Sequence, residues 1–416
     1  MIAERVAQPE QLGFSNERLG RIDDVMHAAI DGGLIAGAVT LVGRHSQLAQ
    51  LSAYGHMDIA AGRTMRPDTL FRLASMTKPV IAVAVLMLLE EGKLLLTDPL
   101  YEYVPAFKDM HVAVPNPTSP LWTRTALAPG DFHLVPANRD ILLRDLLTHT
   151  SGLGSATVGP SLAATQAVLG QRGGSTTLAD LVPRMADVPL SFQPGTAWEY
   201  SGALGFDILA HVVEIVSGST IDRFLRQRVF EPLRMQDTFF HVPAHRLLDV
   251  ATVYERGPDG LRQGTPVGGL AVSTDPDSRY HSGGGGLAGT AEDYGRFAQM
   301  LALGGSLDGE RLLARRTVQL MASNHIGDLP WDRPITDLRG YRFGLGVRVL
   351  DDPAEATTLA SRGTFGWSGA FGTQEWSDPV EGVVGVMLIQ RMQDPTDLEL
   401  KKIFPRFQTA TYQALD

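Results

Sequence analysis

A chain of 416 residues with 44% hydrophobic and 20% charged residues can bury a large core and exceeds one typical compact domain, which predicts two units or one interrupted unit. The formal net charge of -10 and the scatter of the arginines disfavour a nucleic-acid partner, and the lack of cysteine excludes disulfides, thiolate metal sites and cysteine nucleophiles. No uncharged apolar run reaches the roughly 18 residues that a membrane span needs, and the first residues show no basic stretch followed by an apolar one, so a cytoplasmic location is expected.

In chain order, "NERLGRIDDVMHAAIDGG" has helical spacing with Asn16 as the expected cap, and "AGAVTLVGRH" and "LAQLSAYGHM" read as two strands. "DTLFRLASMTKPVIAVAVLMLLEEGKL", residues 68 to 94, opens a strongly apolar helix that Gly92 would end. Two prolines in "LLTDPLYEYVPAF" mark a change of unit near residue 97. Residues 111 to 138 and 155 to 178 read as long loops shaping a cleft, and "RDILLRDLLTHTSGL", "SGALGFDILAHVVEIVSG" and "TIDRFLRQRVFEPLRM" read as helices. A further amphipathic helix follows "SGGGGLAGT". Short β-type runs then occupy "YRFGLGVRVL", "FGTQEWSD" and "GVVGVMLIQ", before a last helix expected to be interrupted at Pro405. The predicted fold is α/β (α+β): an antiparallel sheet flanked by helices and built from both termini, residues 1–96 and 285–416, with a mainly helical insert over 97–284.

The chemistry centres on Ser75 and Lys78. Three residues apart at a helix start, they share one face, and a lysine held in apolar surroundings can take a serine proton. Lys78, Lys93, Lys108, Lys401 and Lys402 are the only lysines in an arginine-rich chain, and arginine cannot serve as a proton acceptor. Serine is also a common helix cap, so the pair alone is weak. Two further stretches strengthen it. In "FQPGTAWEYSGALGFDIL" a Pro-Gly turn delivers Tyr200 ahead of a helix, where a phenolate near a cation can relay a proton. In "SRGTFGWSGAFGT" small residues allow close backbone approach and offer an amide to an oxyanion. The Gly-rich run "YHSGGGGLAGT" lacks the context of a phosphate loop.

Together "LFRLASMTK", "DLLTHTSGL", "PGTAWEYSGALGFDIL", "SGGGGLAGTAEDYGRFAQML" and "FGWSGAFGT" resemble the serine β-lactamase and penicillin-binding-protein-like hydrolases. Within that family they are most similar to the class C β-lactamase-like esterases, the family VIII carboxylesterases. The resemblance implies Ser75 as nucleophile, Lys78 as its activating partner and Tyr200 as general base. It implies an oxyanion hole from the Ser75 and Ala370 amides, and Trp367, Ser368 and Gly369 lining the substrate site where β-lactamases carry Lys-Thr-Gly. Gly202 stands where those enzymes carry a substrate-contacting asparagine, and Trp367 replaces a carboxylate-binding lysine. Both departures point to neutral esters. The expected activity is hydrolysis of short-chain carboxylic esters through an acyl-enzyme on Ser75, with weak turnover of some β-lactams. The partner is a small-molecule ester, and no metal, organic cofactor, nucleic acid or membrane is required. Acyl transfer, or β-lactam and amide hydrolysis on the same scaffold, is the alternative, and a catalytically silent binding module is a distant one.

No G-x-S-x-G elbow occurs in the chain, which removes the main sign of a Ser-His-Asp hydrolase. His241 and His245 have helical spacing, but Pro243 between them predicts a loop rather than a metal site. His149 is expected to tie a helix end to the following turn. Trp198 and Phe371 either line an acyl pocket or sit in the core.

Overall fold

The computed structural model describes residues 7–116, 131–154, 162–266, 274–275, 277–329, 339–394 and 396–416. Its centre is an antiparallel sheet of eight strands: β1 (Gly37–Arg44), β2 (Gln47–Asp58), β3 (Arg63–Thr64), β4 (Tyr341–Phe343), β5 (Arg348–Leu350), β6 (Phe365–Gly366), β7 (Gln374–Asp378) and β8 (Val383–Leu388). The spatial order is β4-β5-β6-β7-β8-β1-β2-β3. The two ends of the chain therefore meet at the β8–β1 pair, with Val39 opposite Leu388 and Leu41 opposite Val386.

Alternation along these strands feeds two cores, because successive side chains leave opposite faces of a sheet. Val39 and Leu41 of β1 and Val384, Val386 and Leu388 of β8 join the larger core. Ala38, Val42, Val383 and Met387 point the other way, into a core closed by helices α1 (Arg21–Asp31) and α7 (Leu398–Tyr412). On the first face lie α2 (Thr77–Glu90) and α6 (Ala291–Ala302). Every residue from Thr77 to Leu88 is buried, as expected of a helix apolar all round. It packs against α5 (Leu204–Ser217) from the central part of the chain, which also contributes α3 (Leu143–Leu147) and α4 (Leu162–Leu169).

Several local expectations are corrected. The first helix begins as a separate turn, Asn16–Leu19, capped by Ser15, whose hydroxyl accepts the Arg18 amide at 3.3 Å. Asn16 is already helical. Helix α7 runs straight through Pro405: the ring is on the exposed face while Phe404 and Phe407 pack inward, so the missing amide costs only a bond on the solvent side. Residues 111–115 and 132–136, read as loop, pair as a hairpin, and 162–169 is the helix α4. Within those two stretches, residues 117–130 and 155–161 lie outside the described residues.

Candidate active site

Ser75 sits in a single 3-10 turn, Ala74–Met76, leading directly into α2. Ala74 has φ of 48°, a left-handed conformation costly for a residue with a Cβ. Hydroxyl groups from three parts of the chain hold the turn. Thr373 Oγ1 donates to Leu73 O at 3.1 Å, Thr77 Oγ1 to Ala74 O at 2.7 Å, and Tyr294 Oη to Met76 O at 2.8 Å. Ser75 itself is only half-buried.

Lys78 is fully buried. Its Nζ donates to Ser75 Oγ at 3.0 Å, Gly202 O at 2.7 Å and Gly284 O at 2.6 Å, so the three N–H donors of an ammonium are matched by three acceptors. Nζ also lies 5.1 Å from the centre of the Tyr200 ring. Tyr200 is half-buried, and its Oη accepts from Trp367 Nε1 at 3.3 Å. Among the described residues no hydrogen bond joins Tyr200 Oη to Ser75; such bonds commonly tighten only when substrate arrives.

Trp367 extends β6, and its amide donates to Glu375 Oε1 at 3.2 Å. Ser368 bridges Gln374, and Gly369 N–H donates to Thr373 O at 2.7 Å. A Cβ on Gly369 would lie 2.3 Å from Leu73 O, so only glycine lets this segment reach the nucleophile turn. Ala370 follows, exposed. Among the described residues neither its amide nor that of Ser75 has an acceptor.

His149 does more than tie off its own helix end. Its carbonyl accepts from the Glu199 amide at 3.1 Å, and its Nδ1 accepts from the Ser201 amide at 3.3 Å, which places the ring proton on Nε2. The ring centre lies 4.7 Å from that of Tyr200 and 5.1 Å from that of Phe343. Burial, aided by the charge of Lys78, pushes His149 well below the usual histidine range, so this ring is a neutral clamp on the Tyr200 segment.

Two buried carboxyl groups escaped the reading of the sequence. Asp207, in the first turn of α5, takes Ser282 Oγ and the Gly284 amide on Oδ1, and Tyr280 Oη and Arg172 on Oδ2. A lone aspartate inside "ALGFDILAHVV" was the available signal. Glu375, behind the Trp367 strand, is pushed by burial up to about 8. Trp198 and Phe371, each 1% exposed, belong to the core. His245 falls in a 3-10 turn, Ala244–Asp249, and among the described residues no group of three His, Asp or Glu could hold a metal ion.

The site thus combines a strained turn bearing a serine, a lysine on three acceptors, a tyrosine over that lysine and two backbone amides without an acceptor among the described residues. The Beta-lactamase family model matches residues 22–407. Protein Rv1367c of Mycobacterium tuberculosis is 37% identical over 406 residues, covering 92% of this chain and 96% of its own. Esterase EstB of Burkholderia gladioli is 34% identical over 388 residues, 88% of this chain and 89% of its own. Among solved structures, EstCE1, described as a hydrolase with promiscuous acyltransferase activity, superimposes with a TM-score of 0.77 at 26% identity, covering 95% of this chain and 99% of its own. By match, by relatives and by fold, this chain belongs to the beta-lactamase family.

Proposed function

We propose that the protein is a carboxylesterase of the family VIII type that cleaves small, neutral, short-chain esters through an acyl-enzyme on Ser75. The observation that carries this reading is the contact of Lys78 Nζ with Ser75 Oγ at 3.0 Å inside a buried cradle of two carbonyls. The likeness to Esterase EstB supports it.

In the proposed reaction Tyr200, acting with Lys78, takes the proton of Ser75 as Oγ attacks the ester carbonyl. The carbonyl oxygen becomes an oxyanion held by the Ser75 and Ala370 amides. The C–O bond to the alcohol breaks, Tyr200 returns the proton to the leaving oxygen, and the acyl group remains on Ser75. Water then gives its proton to Tyr200 and attacks the acyl carbon, and collapse of the second oxyanion returns the proton to Ser75 and frees the acid. Trp367 in place of a lysine, and Gly202 in place of an asparagine, leave nothing at those two positions to hold a β-lactam carboxylate or amide, which favours neutral esters.

Wild type and Ser75→Ala are to be compared on p-nitrophenyl esters from acetate to long chain, with a chromogenic cephalosporin alongside. Short-ester hydrolysis that disappears in Ser75→Ala, with little cephalosporin turnover, is the expected result. Ester activity surviving in Ser75→Ala would refute the nucleophile, and dominant cephalosporin turnover would refute the substrate class. The likeness to EstCE1 supports a second acceptor: with an added alcohol, a new ester should form alongside the free acid.

A further inference from the structure

Resting on the Ser75–Lys78 reading, we propose that Asp207 is a positioning residue for acyl transfer: it fixes the Gly284 carbonyl that holds Lys78 against the nucleophile. Asp207 is completely buried. Four donors converge on its two oxygens: Ser282 Oγ at 2.9 Å, Gly284 N at 2.8 Å, Tyr280 Oη at 2.7 Å and the guanidinium of Arg172. An ionised carboxylate is the one side chain of this size with acceptor sites for all four. Arg172, itself 6% exposed, balances its charge, so Asp207 acts on Lys78 through geometry rather than as a second anion.

The consequence for the lysine is direct. Gly284 gives its amide to Asp207 and its carbonyl to Lys78 at 2.6 Å. The loop is pressed onto the start of α5 so closely that a Cβ on Gly283 would lie 2.2 Å from Phe206 O, and one on Gly284 2.9 Å from Ala203 Cα. The neighbouring Gly202 supplies the other carbonyl on Lys78. One helix start therefore sets both acceptors, one through its own backbone and one through Asp207. Moving the Gly284 carbonyl would leave Lys78 free to turn from Ser75 while the ester-binding surface stays as it is.

The test is Asp207→Asn in the full chain, with steady-state kinetics on a short p-nitrophenyl ester from acid to alkaline pH. The carboxamide turns its amino group toward donors, so the Gly284 loop should shift. We expect kcat to fall by about 10- to 100-fold, KM to stay within about twofold, and the pH profile of kcat/KM to be displaced. The double variant Asp207→Asn/Arg172→Gln removes both members of the buried ion pair and gives the new amide an acceptor, with Oδ1 still available to Gly284. It should regain most of the lost kcat, and it carries the test if the single variant does not fold. A folded single variant with the kcat and pH profile of wild type would overturn the proposal, as would a folded double variant that regains nothing. Residual hydrolysis in Ser75→Ala would instead overturn the nucleophile on which the proposal rests, so the two failures are distinguishable.

Discussion

Glu375 offers a quantitative test of the structure beneath the site. Its side chain, carried by β7, is buried beside the Trp367 strand, and Oε1 receives the Trp367 amide at 3.2 Å. Burial, only partly offset by that amide, by Arg348 and by the Ser377 hydroxyl, moves it from its ordinary 4.5 up to about 8. The folded protein thus keeps a proton that the unfolded chain has released. The stabilisation is complete below pH 4.5, falls by up to about 1.4 kcal/mol per pH unit as pH rises toward 8, and levels off above. Between about pH 6 and pH 9 this single group should remove about 2 to 3 kcal/mol of stability. Glu375→Gln keeps the acceptor for Trp367 and cannot ionise. Urea unfolding of both proteins at the two pH values isolates the group, since all other titrations cancel in the difference. Glu375→Gln should be the more stable protein at the alkaline end by about that margin relative to the acid end. Identical pH dependence in the two proteins would refute a proton held on Glu375.

Three further expectations concern the site itself. Trp367→Phe removes the indole donor to Tyr200 Oη while keeping a ring against Phe343. Losing one such bond, worth about 1 kcal/mol, should lower kcat/KM for short esters by about fivefold to tenfold with the fold intact, and unchanged kinetics would show the bond to be idle. Gly202→Asn has room, since the nearest atom to an added Cβ is Tyr200 Cε1 at 3.9 Å. The variant should keep its stability within about 1 kcal/mol and raise cephalosporin turnover relative to ester turnover, a ratio that stays flat if this position never meets the substrate. His149, held neutral by burial, makes the folded protein refuse a proton that the unfolded chain accepts below about pH 6.5, so wild type loses stability as pH falls through that range. His149→Gln keeps an acceptor for the Ser201 amide, and its unfolding free energy should vary less between pH 7 and pH 5, by about 2 kcal/mol. A parallel decline in both proteins would mean that His149 is protonated in the fold.

What could be read in advance was what is local or periodic. Ser75 and Lys78 are legible because three residues on a helix is a fixed geometry. The sheet is legible because strands with alternating faces crowd the two ends of the chain. Tyr200 could be picked out by the turn that precedes it. The misses have equally definite causes. Ser15 and Asn16 are both good caps, and only the backbone decides between them. Pro405 was read by its usual effect on a helix, but its exposure depends on which face of α7 meets the sheet. The hairpin of 111–115 with 132–136 is invisible because its two strands lie far apart in the sequence, with no tight-turn signal joining them. Asp207 finds Arg172 and Tyr280 at sequence separations of 35 and 73 residues, and no local pattern predicts such a meeting. Trp367 was read only as the loss of a carboxylate-binding lysine, yet its indole N–H points to the oxygen of Tyr200.

The pairing of β8 with β1 has a consequence for how the molecule comes into being. The sheet cannot close until residues 383–388 reach 39–44, so its central ladder forms last during synthesis although half of it is made first. The turn bearing Ser75 waits too. Its bracing groups Tyr294 and Thr373 lie 218 and 300 residues downstream of the carbonyls they hold, and contacts this distant are slow to form. A nascent chain, or one shortened ahead of Tyr294, therefore carries Ser75 and Lys78 without the distant hydroxyls that brace their turn.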